Sequence, residues 1–137
     1  MSRHLAITAS EAISGYLAGV AIGAVLAVFS SYVPAFGRAI TPYGVALKTT
    51  PIIVLAPLLI MWLGNGYLSK VIMAAMSAFF PVYVSTCVGL STIDQEWLDL
   101  LALHKASRWQ TLIYLRIPNA MPHFFSGCRI ASSLALV

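Results

Sequence analysis

The 137-residue chain is 60% hydrophobic and only 9% charged, against roughly a quarter charged residues in a soluble domain, and its mean hydropathy is +0.89. Eight Lys and Arg against four Asp and Glu leave a formal charge of +4, but the bases are scattered between apolar runs and read as membrane-topology signals, not as a nucleic-acid surface. Cys87 and Cys128 each lie in an apolar stretch with no partner His or close second Cys, which indicates neither a metal site nor a disulfide framework.

Residues 12–37, 49–69 and 71–93 carry no Asp, Glu, Lys or Arg, and each run reaches the ~20 residues that cross a bilayer core as helix. A secretory signal would be followed by a soluble mature domain; here further apolar runs follow. The expected fold is all-α and polytopic, with spans over about residues 10–30, 43–63, 69–90 and 119–137.

In the first span Gly15, Gly19 and Gly23 fall on one helix face, continued by Ala27, a pattern that allows close packing against another helix. Ser31, Pro34, Gly37, Arg38 and Pro42 then form a cluster of breakers and polar groups, which predicts a short loop. The second span holds Pro51 and Pro57, each costing a helix hydrogen bond. Broken backbone of this kind is tolerated where protein or a cavity covers it, so Thr50, Pro51 and Pro57 are candidate pathway residues, beside a reading as a plain kink. Gly64, Asn65 and Gly66 predict a tight turn into the third span, where Pro81, Tyr83 and Thr86 stand, the last two as further pathway candidates.

Beyond Leu90 the character changes. Asp94, Glu96, Asp99, His104, Lys105, Arg108 and Arg116 are interleaved with Trp97, Leu98, Leu101, Trp109, Leu112 and Ile113. The apolar spacing predicts two short amphipathic helices divided near residues 105–107, making 94–118 a surface segment between spans. If that segment is cytoplasmic, Arg38 and Lys48 join Lys105, Arg108 and Arg116 on one side, against Arg3 and Lys70 on the other, as the positive-inside rule favours. A lipid-surface helix is usually rich in bases on its polar face; the acids here fit a protein partner better. In the last span Arg129 is the one charge. It is a functional candidate by default, with snorkelling to the cytoplasmic interface the favoured reading.

The stretch DLLALHKASRWQTLIYLRIP over residues 99–118 resembles the cytoplasmic EAA loop of binding-protein-dependent ABC transporter permeases. Asp99 takes the Glu position, Leu100 and Leu101 the two alanines, Lys105 the family glycine, Leu115 the isoleucine, Ile117 the leucine and Pro118 the proline; the spacing matches throughout and the identities match in part. The run through Ser107, Arg108 and Trp109, with TPIIVLAPLLIMWLG over 50–64 and FFP over 79–81, is similar to the branch that imports nitrate, sulfonates, taurine and pyrimidine precursors. The resemblance implies a type I importer permease subunit in the bacterial plasma (inner) membrane, present here as a single, incomplete transmembrane domain over 1–137. It implies as partners a separate cytoplasmic ABC ATPase, a second permease copy in a homodimer, an extracytoplasmic solute-binding protein and the lipid bilayer. Leu101, Trp109 and Leu112 would anchor in the ATPase, with Asp99 and Arg108 fixing register. Lys105 departs from the pattern, because a glycine there would end the first short helix with positive φ.

No catalytic residue, cofactor or metal site is expected. ATP hydrolysis needs a glycine-rich loop before Lys-Ser/Thr, and Lys48-Thr49 follows Ala46 and Leu47 instead. A membrane enzyme would have to draw on His4, His104, His123, Glu11 or Asp99, and these histidines lack ligand spacing. A third possibility is a permease fragment or small membrane protein that assembles through its glycine face without transporting anything.

Overall fold

The computed structural model describes residues 2–49 and 52–135, and among these every regular element is helical. Helix α1 spans Ser2–Tyr32 and α4 spans Tyr67–Ser91, about 46 and 37 Å at 1.5 Å per residue. The segments Ala6–Tyr32 and Tyr67–Ser91 are long and apolar enough to cross a membrane.

The cluster expected as a loop after Ser30 is helical instead. Only Val33 separates α1 from α2, Pro34–Thr49. Pro34 opens that helix at the position where a missing N–H costs nothing and a fixed φ helps, and Phe36 and Gly37 both donate to the Val33 carbonyl, at 3.0 and 3.2 Å. The run expected as one span over 43–63 is divided between α2, with Pro42 inside it, and α3, Ile52–Leu63; Thr50 and Pro51 lie outside the described residues. Helix α3 alone, at about 18 Å, is shorter than a bilayer core.

The turn from α3 into α4 uses Gly64 at φ +77°, a conformation glycine adopts without a Cβ penalty, and the Ser69 hydroxyl donates to the Gly64 carbonyl. After α4 come α5, Gln95–Leu103, and α6, Arg108–Thr111. A π-helical turn over Leu112–Arg116 leads into α7, Ile117–Ala135.

Helices α1 and α4 run parallel, because their neighbours advance together: Glu11 pairs with Lys70, Gly15 faces Ala74, Gly23 faces Phe79 and Ser30 meets Tyr83. The chain between them must therefore return from one end of the bundle to the other. Helix α7 runs antiparallel to α4, with Ala120 and His123 beside Gly89 and Gly127 beside Pro81 and Ser85.

The core is built largely from small side chains. Ala27, Ala78, Ala120 and Ala131 are buried together with Val82, Tyr83, Leu90 and Leu112. A Cβ on Gly15 would stand 2.6 Å from Ala74 Cβ, and one on Gly127 2.9 Å from Ser85 Cβ. Helices in lipid gain no hydrophobic attraction from one another and associate through such close approach. The glycine face of α1 is thus taken up by α4 within the chain, and assembly with other proteins through that face is not open to it.

Candidate functional site

The ends of α1 and α4 and the start of α7 meet at one pole of the bundle, and the 94–118 segment caps it. Arg116 fastens this pole: its Nη1 donates to the Leu90 carbonyl at 3.2 Å and to Ser31 Oγ at 3.4 Å, joining three helices. Asn119 Nδ2 adds bonds to the carbonyls of Gly89, 3.0 Å, and Thr92, 2.7 Å. Neither residue stands out in the sequence as a clamp, since both partners come from distant parts of the chain. Gly89 and Gly127 were readable only as small residues in spans, yet they set the α4–α7 approach.

The turn between α5 and α6 is a complete Schellman closure. Lys105 N–H donates to the Ala102 carbonyl at 2.9 Å and Ala106 N–H to the Leu101 carbonyl at 3.0 Å, with Lys105 at φ +53°. Lysine therefore occupies the left-handed conformation for which glycine is favoured, and the turn forms with it in place. Ser107 then caps α6 through a reciprocal pair: its hydroxyl accepts from Gln110 N–H at 3.2 Å, and its own N–H donates to Gln110 Oε1 at 2.8 Å. Together these satisfy end groups where the two short helices meet, at the C-terminus of α5 and the N-terminus of α6.

Around this turn the apolar side chains divide. Trp97, Leu100, Leu103, Trp109, Ile113 and Tyr114 are exposed, Leu103 at 81%. Trp109 also sets its ring edge-on to Tyr32, centroids 6.0 Å apart. Leu112 is only 2% exposed and packs in the core with Ala27, Tyr83, Leu90 and Ala120. The expectation that Leu112 reaches a partner is thus corrected. Leu101, Leu115 and Ile117 are half-buried and Pro118 is exposed.

Asp99 is exposed and accepts from Gln95 Nε2 one turn back, at 3.0 Å. Arg108 is exposed and lines a recess of ≈ 210 Å³ with Ser31, Tyr32, Thr111 and Arg116.

The expected pathway residues do not gather. Tyr83 and Thr86 are buried: Tyr83 Oη shares a 3.2 Å bond with Ser30 Oγ, and Thr86 Oγ1 donates to the Val82 carbonyl at 2.6 Å. Their polarity is consumed inside helix packing. Pro57 is exposed on α3, and Thr50 and Pro51 fall outside the described residues. Arg129 stands twelve positions into α7, roughly 18 Å from its first residue at 1.5 Å per residue. It stands well inside that helix, on its exposed side.

Two parallel apolar helices, each long enough to cross a membrane, are packed through glycine and closed at one pole by a helix-turn-helix with an outward apolar surface. The chain belongs to the family of binding-protein-dependent transport system inner membrane components, which it matches over residues 19–137. It is 32% identical to the riboflavin transport system permease protein RibX of Chloroflexus aurantiacus over 97% of this chain and 50% of that protein. To the formylaminopyrimidine transport permease protein ThiX of Halalkalibacterium halodurans it is 31% identical, over 98% of this chain and 54% of that protein. With the taurine transport system permease protein TauC of Escherichia coli the identity is 26%, over 93% and 46%. The chain spans about half the length of the curated relatives it matches.

Proposed function

We propose that this chain acts as a multi-pass permease subunit of an ATP-driven importer of a small solute, and that the α5–α6 turn is where a separate cytoplasmic ATPase docks. The observation that carries this reading is the exposed apolar group Trp97, Leu100 and Leu103 on α5, beside a turn into α6 that is closed by its own hydrogen bonds. Such a surface in the cytoplasm calls for a protein cover. Asp99 and Arg108, both exposed, supply charges that fix register with a partner. Arg116 and Asn119 tie the base of the turn to α1 and α4, so a rigid movement of the turn passes to the helices.

The relatives' names speak of riboflavin, a formylaminopyrimidine and taurine, and the solute here belongs to the same range of small polar molecules. A second permease copy and an extracytoplasmic binding protein complete the proposed assembly. Hydrolysis of ATP belongs to the separate ATPase.

The test is co-purification in mild detergent with the ATPase encoded nearest to this chain, comparing wild type with Leu100→Asp and Leu103→Asp. Association of wild type and its loss in both variants is expected. Association that survives both substitutions would move the docking surface elsewhere.

A further inference from the structure

Helix α7 has two opposite faces of different character. Ala120, Phe124, Gly127, Cys128 and Ala131 turn toward α4 and α1. At helical spacing on the other side stand Ser126, Arg129 and Ser133, all exposed. Gly127 lies against Pro81, Val82 and Ser85, and the Cys128 carbonyl accepts from Tyr16 Oη at 3.2 Å. Because α7 runs antiparallel to α4, Arg129 falls level with the middle of Tyr67–Ser91 and therefore near the bilayer centre.

A guanidinium at that depth rarely faces lipid; such charges face the interior of a helix bundle or a water-filled cavity, or pair with another charge or backbone carbonyls. This chain has four acidic residues. Glu11 is paired with Lys70 at 3.3 Å, while Asp94, Glu96 and Asp99 belong to the segment at the cytoplasmic pole. Within the described residues, none of these stands beside Arg129. A second copy of this chain would bring a second Arg129 to the same depth, and so more positive charge.

We infer that Ser126, Arg129 and Ser133 line the aqueous solute path, and that Arg129 makes this path selective for anionic groups such as a sulfonate or carboxylate. The inference deepens the permease reading and rests on it for the existence of a path, but not on where the ATPase docks. It also replaces Tyr83 and Thr86 as path-lining groups.

The test is thiol accessibility in proteoliposomes, with Cys87→Ala and Cys128→Ala as background. Ser126→Cys and Ser133→Cys are compared with Phe125→Cys and Leu134→Cys, which flank the polar stripe on either side. The probes are a methanethiosulfonate bearing a sulfonate and one bearing a trimethylammonium group. Ser126→Cys and Ser133→Cys should react, and the sulfonate probe should outpace the cationic one by about tenfold relative to the same pair in Arg129→Gln, as a unit charge within a few ångströms would produce. The flanking cysteines should stay unreactive.

The inference fails if cysteines in the stripe are as inert as the flanking ones, or if the two probes keep the same rate ratio with and without Arg129. Co-purification with the ATPase reads α5 and not α7, so either result can fail without the other.

Discussion

Gly19→Ala probes the contact on which the bundle depends. The new Cβ would press first on the Ala75 carbonyl oxygen, and would fall 3.0 Å from Ala78 Cβ and 3.1 Å from Ala75 C, whereas carbon atoms rest at about 3.5–4.0 Å. Because the Ala75 backbone cannot rotate away, relief requires α1 and α4 to separate by roughly 0.5–1 Å, which loosens the contacts at Gly15 and Gly23 as well. Overpacking of this kind costs about 1–3 kcal/mol. Gly66→Ala serves as the comparison without a clash: a Cβ there meets nothing within 4 Å, and φ is −116°, so its cost is confined to the weaker N-cap that Ala gives α4, about 0.5 kcal/mol. Both variants and wild type would be unfolded from mild-detergent micelles by increasing SDS, followed by circular dichroism. A Gly19→Ala midpoint that coincides with that of Gly66→Ala would refute the close α1–α4 approach.

Three further outcomes follow from local geometry. Lys105→Gly should stabilise the protein by about 0.5–1 kcal/mol in the same unfolding assay, since the left-handed conformation costs an L-residue roughly 1–2 kcal/mol and glycine's extra unfolded-state entropy returns only part of it; Lys105→Val should destabilise. Ser107→Ala removes one half of the α6 cap and should cost about 1 kcal/mol, visible as faster amide exchange at Gln110 and Thr111. Ser30→Ala and Tyr83→Phe should show a coupling of about 0.6 kcal/mol in a double-mutant cycle; additive effects would mean that their 3.2 Å bond contributes nothing.

Much of the architecture was legible because membrane helices announce themselves by length. The uncharged runs marked the cores of α1 and α4, and Gly64, Asn65 and Gly66 marked the turn between α3 and α4. The break at residues 105–107 followed from the shift in apolar spacing. Proline misled where its position within a helix mattered: Pro34 begins α2 and Pro42 lies inside it, yet both read as loop residues. Leu112 misled for a different reason. Trp109, Leu112 and Ile113 group on one side of an ideal α-helix, but Leu112 and Ile113 lie on opposite flanks of Trp109, and the core takes only the Leu112 flank, leaving Trp109 and Ile113 exposed.

Polar residues in spans were the least readable. Tyr83 and Arg129 are both simply polar groups in apolar surroundings; only packing shows that Tyr83 has Ser30 as a partner and that Arg129 lies on the uncovered face. The Arg116 clamp on Leu90 and Ser31 likewise joins positions that no local pattern connects.

The most direct test of the account is proximity between the α5 turn and the ATPase in native membranes. In a background of Cys87→Ala and Cys128→Ala, a photo-crosslinker would be attached at Trp97→Cys, at Leu103→Cys and, as a control on the exposed side of α1, at Leu17→Cys. The ATPase encoded nearest to this chain would be co-expressed. Adducts with that ATPase from positions 97 and 103, and none from position 17, are the predicted result. Failure of both α5 positions to capture the ATPase, or equal capture from position 17, would contradict the assignment of this turn as the coupling element.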